Sequence, residues 1–227
     1  MEKDFTKSEN GQRTHDWYAE RVGVPSASNL GAFLDTLKNG QPSARNREYR
    51  KQLAFERRFN TRFEKFSTKA MSEGIFYEDF ARRLYSEEAK VEVQEETSYI
   101  SDYFIATPDG AIGQAGLLEC KVVGDSTFID IIENGVPKDH YLQMQGQLMA
   151  TGREWVDYIA VNIKTRAYII IRVERDSETI QMIYDKLHEP LDLPDLPAEQ
   201  VKRFTAETLD EWLEPQQEIT IIKDLGF

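Results

Sequence analysis

Two charged residues interrupt what is otherwise a buried strand: Gly116-Leu117-Leu118-Glu119-Cys120-Lys121-Val122-Val123. Side chains alternate faces along a strand, so Glu119 and Lys121 project together and Cys120 points to the opposite face. Placing a carboxylate and an ammonium among leucines and valines costs free energy unless a cation or a partner compensates. Upstream stands Thr107-Pro108-Asp109-Gly110, a turn signature separated from Glu119 by nine residues after Asp109. A hairpin returning past that turn brings Asp109 beside Glu119. Two converging carboxylates attract a hard divalent cation such as Mg²⁺, or Mn²⁺ in its place, which takes oxygen ligands and keeps waters. The Lys121 ammonium would then stabilise or orient a hydroxide aimed at a phosphorus atom. Pro-Asp-Gly is also a common turn and Glu-x-Lys a common edge-strand pair, so spacing alone leaves an ordinary structural role open. Cys120 reads as a packing residue, not a nucleophile, and as the lone cysteine it offers neither a disulfide nor a zinc or iron-sulfur cluster.

Net charge of −12 argues against a nucleic-acid partner until it is apportioned along the chain. Residues 38–69 carry ten basic and three acidic side chains, and the surrounding segments are all acidic. In that segment Lys38, Arg45, Arg47, Arg50, Lys51, Arg57, Arg58, Arg62, Lys65 and Lys69 alternate with Tyr49, Phe55, Phe59, Phe63 and Phe66. Such a face meets a polyanion whatever the global balance; the ordinary alternative is a solvated helix with its aromatics in the core. The 227 residues suffice for one large domain with a sizeable core. With 40% apolar residues and 30% charged ones, the profile is globular, not disordered or membrane-spanning. The charged amino-terminal stretch lacks the features of a secretory signal, so a reducing cytoplasm is expected.

Periodicity predicts a helix over Asn29–Leu37, with Ser26 and Ser28 as candidate caps and a stop at Asn39-Gly40, then a long helix over Arg45–Phe66. A third helix over Ser72–Glu87 has apolar residues at 76, 80, 84 and at 77, 81, 85, the spacing of two buried flanks. Antiparallel strands are predicted at Tyr99–Thr107 and Gly116–Val123, helices at about Asp125–Glu133 and Asp139–Ala150, a hairpin of Trp155–Ile163 with Ala167–Val173, and a helix over Asp176–Leu187. Proline-dense residues 189–197 lead to an acidic tail with a short helix near Ala206–Leu213. The expectation is an α/β or α+β domain with a central mixed sheet flanked by helices. Residues 1–189 form that domain, and the tail 190–227 is packed on it or at a subunit interface.

Four blocks, in order and with sensible spacing, resemble the PD-(D/E)XK nucleases, and within them the YqaJ-like viral recombinases typified by bacteriophage lambda exonuclease. They span roughly residues 10–165. His15-Asp16-Trp17-Tyr18-Ala19-Glu20-Arg21 through Ser28 is similar to the family's tryptophan-bearing helix, arginine and serine turn. Glu73-Gly74-Ile75-Phe76-Tyr77-Glu78 is similar to its Gly-x-x-(Y/L)-Glu helix. Thr107–Lys121 resembles the nuclease core, and Tyr141–Leu148 with Trp155–Val161 the glutamine-bearing helix and following strand.

By this resemblance Asp109 and Glu119 are metal-binding carboxylates, the Cys120 carbonyl a backbone ligand, Lys121 the catalytic lysine, and Glu78 a helix glutamate that supports the metal. Read by itself, Glu78 is equally a surface partner of Arg82 at i+4. Arg21, Ser28, Thr107 and Gln143 fall at positions of a 5′-phosphate pocket, an arginine fork with neutral donors. Thr107 stands where the lambda enzyme has serine, and His140 where it has tyrosine, which leaves a histidine metal ligand as an alternative. Arg45, Arg47, Arg50 and Lys51 are the expected DNA-backbone contacts. The resemblance implies a Mg²⁺-dependent exodeoxyribonuclease that degrades 5′-phosphorylated ends of linear duplex DNA in the 5′→3′ direction. It further implies a toroidal homotrimer, a single-strand annealing protein as partner, and a phage or prophage protein in a bacterial cytoplasm. The competing readings are a structure-specific or endonucleolytic nuclease of the same fold, and a non-catalytic DNA-end-binding recombination protein.

Overall fold

In the computed structural model, which describes residues 4–12, 14–63 and 69–195, the alternation around Glu119 is realised on a central strand. Strands β4 (Gly110–Ile112), β5 (Gly116–Val122), β6 (Trp155–Asn162) and β7 (Ala167–Glu174) form one sheet in that order. β4 and β5 are an antiparallel hairpin, β5 and β6 run parallel, and β7 returns antiparallel. The parallel pair requires a crossover, and helices α5 (Asp125–Asn134) and α6 (Lys138–Thr151) supply it. A second sheet joins three two-residue strands, β1 (Thr6–Lys7), β2 (Tyr99–Ile100) and β3 (Ile105–Ala106).

Each face of the main sheet has its own apolar cluster. Leu117, Val156, Tyr158 and Ala160 face α6 and α7 (Ser177–His188), together with Met144, Leu148, Ile180 and Ile183. Leu118, Cys120, Ile159 and Val161 face α4 (Lys69–Ala89), where Ala81 and Tyr85 meet them. Cys120 therefore packs away from the Glu119 face, as alternation requires. Helix α6 lies close to the amino-terminal helices: a Cβ at Gly146 would come within 2.5 Å of Leu30 Cδ1 and 2.9 Å of Phe104. Only glycine permits that approach, and on the same helix Gln143 and Gln147 reach Glu119 of β5.

On the α4 side, Asp157 of β6 is 5% exposed, accepts the Tyr85 hydroxyl at 2.5 Å, and pairs bidentately with Arg172 at 2.8 Å on both oxygens. Burial, then Asp157, hold the Tyr85 phenol well above its usual pKa, so it remains a donor. A hydrogen bond to a charged group contributes about 1.5–3 kcal/mol. Tyr85→Phe is thus expected to lower the unfolding free energy by about 2 kcal/mol, read as the urea midpoint at unchanged m-value. An unchanged midpoint would mean that this bond does not anchor α4.

Several elements differ from the sequence expectation. Ser26 precedes a 3₁₀ turn, Ala27–Asn29, with no side-chain cap bond; its Oγ instead accepts from Asn29 Nδ2 at 3.0 Å. The helix that follows, α2, spans only Leu30–Phe33. The chain then turns through Asn39-Gly40, where Gly40 has φ +81° and Thr36 bridges Pro42. Helix α3 covers Ala44–Phe59, capped by Ser43 and closed at Asn60 in the left-handed region, φ 47°. The predicted helix to Phe66 therefore stops seven residues early: the left-handed Asn60 breaks it and residues 61–63 are not helical, while 64–66, including Lys65, lie outside the described residues, as does the tail helix at 206–213. Tyr99–Thr107 is not one strand: Ser101 Oγ bonds the Phe104 N–H and folds the chain back between β2 and β3. On α4 the 81/85 flank is buried, whereas Phe76 and Phe80 are 75% and 45% exposed, so one of the two predicted apolar flanks faces outward. Helix α1 spans His15–Ala19. No helix among the described residues is long and apolar enough to cross a membrane.

Candidate active site

The hairpin register sets Gly110 opposite Leu118 and places Asp109 at the mouth of β4 beside Glu119. The Asp109 N–H donates to the Leu118 carbonyl at 3.2 Å, and Asp109 Oδ2 accepts the Cys120 N–H at 2.7 Å. Arg82 of α4 reaches the Asp109 carbonyl from the far face at 3.1 Å. The turn is thereby fixed from both sides. Burial first, and the Glu119 charge second, hold the Asp109 carboxyl well above the usual carboxylate range, with Glu78 adding to the shift; Lys121 and the Cys120 N–H oppose it.

Glu119 is fully buried and accepts three donors: Lys121 Nζ and Gln143 Nε2 on Oε1, the latter at 2.6 Å, and Gln147 Nε2 on Oε2 at 2.6 Å. Gln143 and Gln147 are one turn apart on α6, so both amides reach the same carboxylate. Burial works against charge on Lys121, but Glu119 and Asp109 outweigh it and raise its pKa, which favours the ammonium form. The Cys120 thiol is pushed up by burial and by both carboxylates, which keeps it neutral and unreactive.

Hard oxygen donors that repel one another at close range are what a divalent cation relieves, and Asp109 Oδ1 accepts no bond from the described residues. The donor set fits a hard, hydrated cation. No three His, Cys, Asp or Glu side chains converge as a ligand group among the described residues, so the set is not a closed cage. Glu78 stands further out, 3.5 Å from Arg82 Nη2, close enough to influence Asp109. His140 lies on the same side, its Nδ1 2.9 Å from the Tyr158 hydroxyl, and burial followed by Lys121 lowers its pKa below 6.5.

A second cluster adjoins through Thr107. Arg21 Nη1 donates to Thr107 Oγ1 at 2.9 Å; Thr107 Oγ1 lies 2.7 Å from Ser98 Oγ, which in turn accepts Trp17 Nε1 at 2.8 Å. The Arg21 guanidinium stacks over the Trp17 ring at 4.3 Å, and Arg62 stacks over Tyr18 at 4.2 Å. Among the described residues Arg21 has no carboxylate partner, and burial lowers its pKa to about 10. A desolvated guanidinium bound only to a neutral hydroxyl has its charge available for an anion. Of the four residues expected in this pocket, the structure joins Arg21 and Thr107. Ser28 is exposed, with its Oγ 3.3 Å from Ser26 Oγ, and Gln143 is committed to Glu119. Ser98, Trp17 and Gln147 were not singled out by sequence reasoning. The signal for Gln147 was present: two glutamines at i, i+4 on an apolar helix, opposite a strand carrying a carboxylate.

The basic helix α3 is less uniform than its sequence. Arg45 pairs with Asp139 at 2.5 Å, Arg47 donates to the Pro42 carbonyl, and Arg50 bonds Asn46 Oδ1 and lies over Phe33 at 5.2 Å; Lys51 is exposed.

Comparison with known proteins yields a family model, the YqaJ-like viral recombinase domain, matching residues 16–154. No curated protein matches the chain. Among solved structures it is similar to LHK-Exo in complex with dAMP, 31% identical, covering 77% of this chain and 89% of that one, TM-score 0.68. It is likewise similar to the alkaline exonuclease LHK-Exo from Laribacter hongkongensis, 27% identical over 93% of this chain and 98% of that one, TM-score 0.68. A phage related exonuclease from Haemophilus somnus 129PT, 13% identical over 72% of this chain and 90% of that one, TM-score 0.56, shares the fold. With a match over residues 16–154, which include Arg21, Asp109, Glu119 and Gln143, the chain belongs to the YqaJ-like viral recombinase family, with the mixed α+β, PD-(D/E)XK-like fold of its exonuclease neighbours.

Proposed function

We propose that the protein is a Mg²⁺-dependent exodeoxyribonuclease that digests one strand of linear duplex DNA from a 5′-phosphorylated end toward 3′. The observation that carries this reading is the contiguity of two unlike sites. A carboxylate pair with an ammonium, suited to phosphodiester hydrolysis, is linked through Gln147 and Thr107 to an arginine that forms no ion pair among the described residues and is suited to a terminal phosphate. A solved relative holds dAMP, a nucleoside 5′-monophosphate, which is a mononucleotide of the kind such digestion would release.

In this reading Asp109, Glu119 and the Cys120 carbonyl would hold the cation, with Glu78 supporting the site. Bound there, Mg²⁺, or Mn²⁺, would lower the pKa of a bound water and offset charge developing on the phosphoryl oxygens. Lys121 Nζ, held by Glu119, keeps its proton and presents positive charge to the attacked phosphate. Arg21 and Thr107 fix the 5′ phosphate, and with it the position of the next phosphodiester. Residues 1–189 supply this chemistry; the ring-shaped homotrimer, the single-strand annealing partner for the 3′ overhang, and a subunit-contact role for residues 190–227 belong to the same proposal.

The test is incubation of linear and closed circular duplexes in Mg²⁺ and in EDTA. Digestion of the linear substrate alone, and only in Mg²⁺, is expected. Cutting of the circle would favour the endonucleolytic reading, and binding to ends without hydrolysis the non-catalytic one.

Within this proposal α3 supplies sequence-independent backbone contacts. Replacing Arg45, Arg47, Arg50 and Lys51 with glutamine is expected to weaken duplex binding similarly across sequences and to flatten the slope of log affinity against log salt by about two to four. The measurement is made in Ca²⁺, where cleavage is expected to stall. An unchanged slope would make this segment a solvated helical face.

A further inference from the structure

Gln147 is fully buried, yet its two amide atoms are treated very differently. Nε2 donates to Glu119 Oε2 at 2.6 Å and reaches the Thr107 carbonyl at 3.3 Å, whereas Oε1 has no partner. It is the one buried side-chain polar atom among the described residues left without a hydrogen bond. Gln145, on the same helix and equally buried, is the contrast. Its Nε2 donates to the Glu174 carbonyl and its Oε1 accepts the Asp176 N–H, both at 2.8–2.9 Å, so both ends are used to tie α6 to the start of α7. A glutamine retained only for packing would be better replaced by an apolar residue of the same shape, because an unsatisfied buried acceptor costs stability.

Geometry gives Gln147 a different task. Glu119 Oε1 is taken by Lys121 and Gln143, so among the described residues Gln147 is the sole donor to Oε2 and fixes the rotation of the carboxylate. The same N–H₂ group touches the backbone of Thr107, whose hydroxyl holds Arg21. Among the described residues no other side chain of the site bonds both to the carboxylate and to Thr107, which follows β3 and holds Arg21 through its hydroxyl.

We infer that Gln147 is a positioning residue that couples the two halves of the site, holding Glu119 in its cation-binding orientation relative to the Thr107–Arg21 pair that receives the terminal phosphate. This rests on the proposed function. Loss of a donor that orients a metal-binding carboxylate costs about 10- to 100-fold in metal affinity. Coupling through Thr107 adds a second consequence: the preference for a 5′ phosphate over a 5′ hydroxyl should shrink along with it.

The test compares wild type, Gln147→Met and Gln145→Met. One readout is Mn²⁺ affinity of the DNA-free protein by calorimetry; the other is the ratio of digestion rates on 5′-phosphorylated and 5′-hydroxyl linear duplexes. Gln147→Met should weaken Mn²⁺ binding about 10- to 100-fold, lower the rate ratio, and melt near the wild-type temperature. Gln145→Met should melt lower and leave both readouts in place. If Gln147→Met loses its cooperative melt, Gln147→Asn, one methylene too short to reach Glu119, is read on the same two measures. Wild-type Mn²⁺ affinity and rate ratio in the folded Gln147 variant would overturn the inference while leaving the function intact. Absence of Mn²⁺ binding, or of end preference, in wild type itself would overturn the functional reading and this inference with it.

Discussion

Asp109→Asn is expected to abolish nucleotide release from linear duplex DNA while leaving the fold in place. The asparagine amide oxygen can still accept the Cys120 N–H that Asp109 Oδ2 accepts at 2.7 Å, so the hairpin keeps its closure. What disappears is one of two mutually repelling carboxylates, and with it the negative potential that draws a divalent cation. Losing the ion removes both water activation and charge stabilisation at phosphorus, so the rate should fall by about a thousandfold or more. Glu119→Ala should be as damaging to activity but harder to interpret, since it strands Lys121, Gln143 and Gln147 without their common acceptor. Lys121→Ala separates the roles: hydrolysis should fall nearly as far, while Mn²⁺ binding to the DNA-free protein persists. Full activity in a purified Asp109→Asn, Glu119→Ala or Lys121→Ala protein would remove these residues from the chemistry.

Arg21→Ala is expected to slow digestion of a 5′-phosphorylated duplex by about ten- to a hundredfold, matching the roughly 1.5–3 kcal/mol of a charge-assisted phosphate contact. A 5′-hydroxyl substrate should be affected far less. The stability prediction is the reverse of the usual one for a buried arginine. Arg21 is desolvated enough to lower its pKa to about 10, yet its hydrogen-bond partner among the described residues is a hydroxyl, so its removal leaves no opposite charge stranded. The thermal midpoint should therefore hold or rise, apart from the loss of stacking on Trp17. Equal loss on both substrates would place the phosphate pocket elsewhere.

Much of the site was legible because strand alternation is a strict rule. Once Gly116–Val123 is read as a strand, Glu119 and Lys121 must share a face, Cys120 must leave it, and a Pro-Asp-Gly hairpin must return Asp109 to their side. The run from Asp125 to His188 was similarly legible, since its helices have punctuated ends: Gly135 after α5, Gly152 after α6 and the Asp176 cap on Glu178 and Thr179. Less legible were features set by tertiary contacts. Asn39-Gly40 was read as a helix stop, but it is the turn of a short bridge between Thr36 and Pro42, and α2 ends earlier. Apolar character made Tyr99–Thr107 read as one strand, but Ser101 Oγ accepts the Phe104 N–H and turns the chain within it. Helical period located both apolar flanks of α4 but could not distinguish a flank that packs on β5 from one, Phe76 and Phe80, that does not. The resemblance grouped Arg21 with Thr107, and the two are hydrogen-bonded. Gln143 was assigned to the same pocket as well, whereas the i, i+4 spacing with Gln147 points to Glu119.

The central claim is directional hydrolysis from a phosphorylated 5′ end, and strand-resolved digestion tests it most directly. A linear duplex with one blunt 5′-phosphorylated end, radiolabelled on that phosphate, is digested in Mg²⁺ beside a duplicate labelled at the 3′ end of the same strand. The account predicts immediate release of the 5′ label as mononucleotide while the 3′ label persists on progressively shorter strands, with the complementary strand left intact as a 3′ overhang. Early release of the 3′ label, or internal fragments before any mononucleotide, would contradict it.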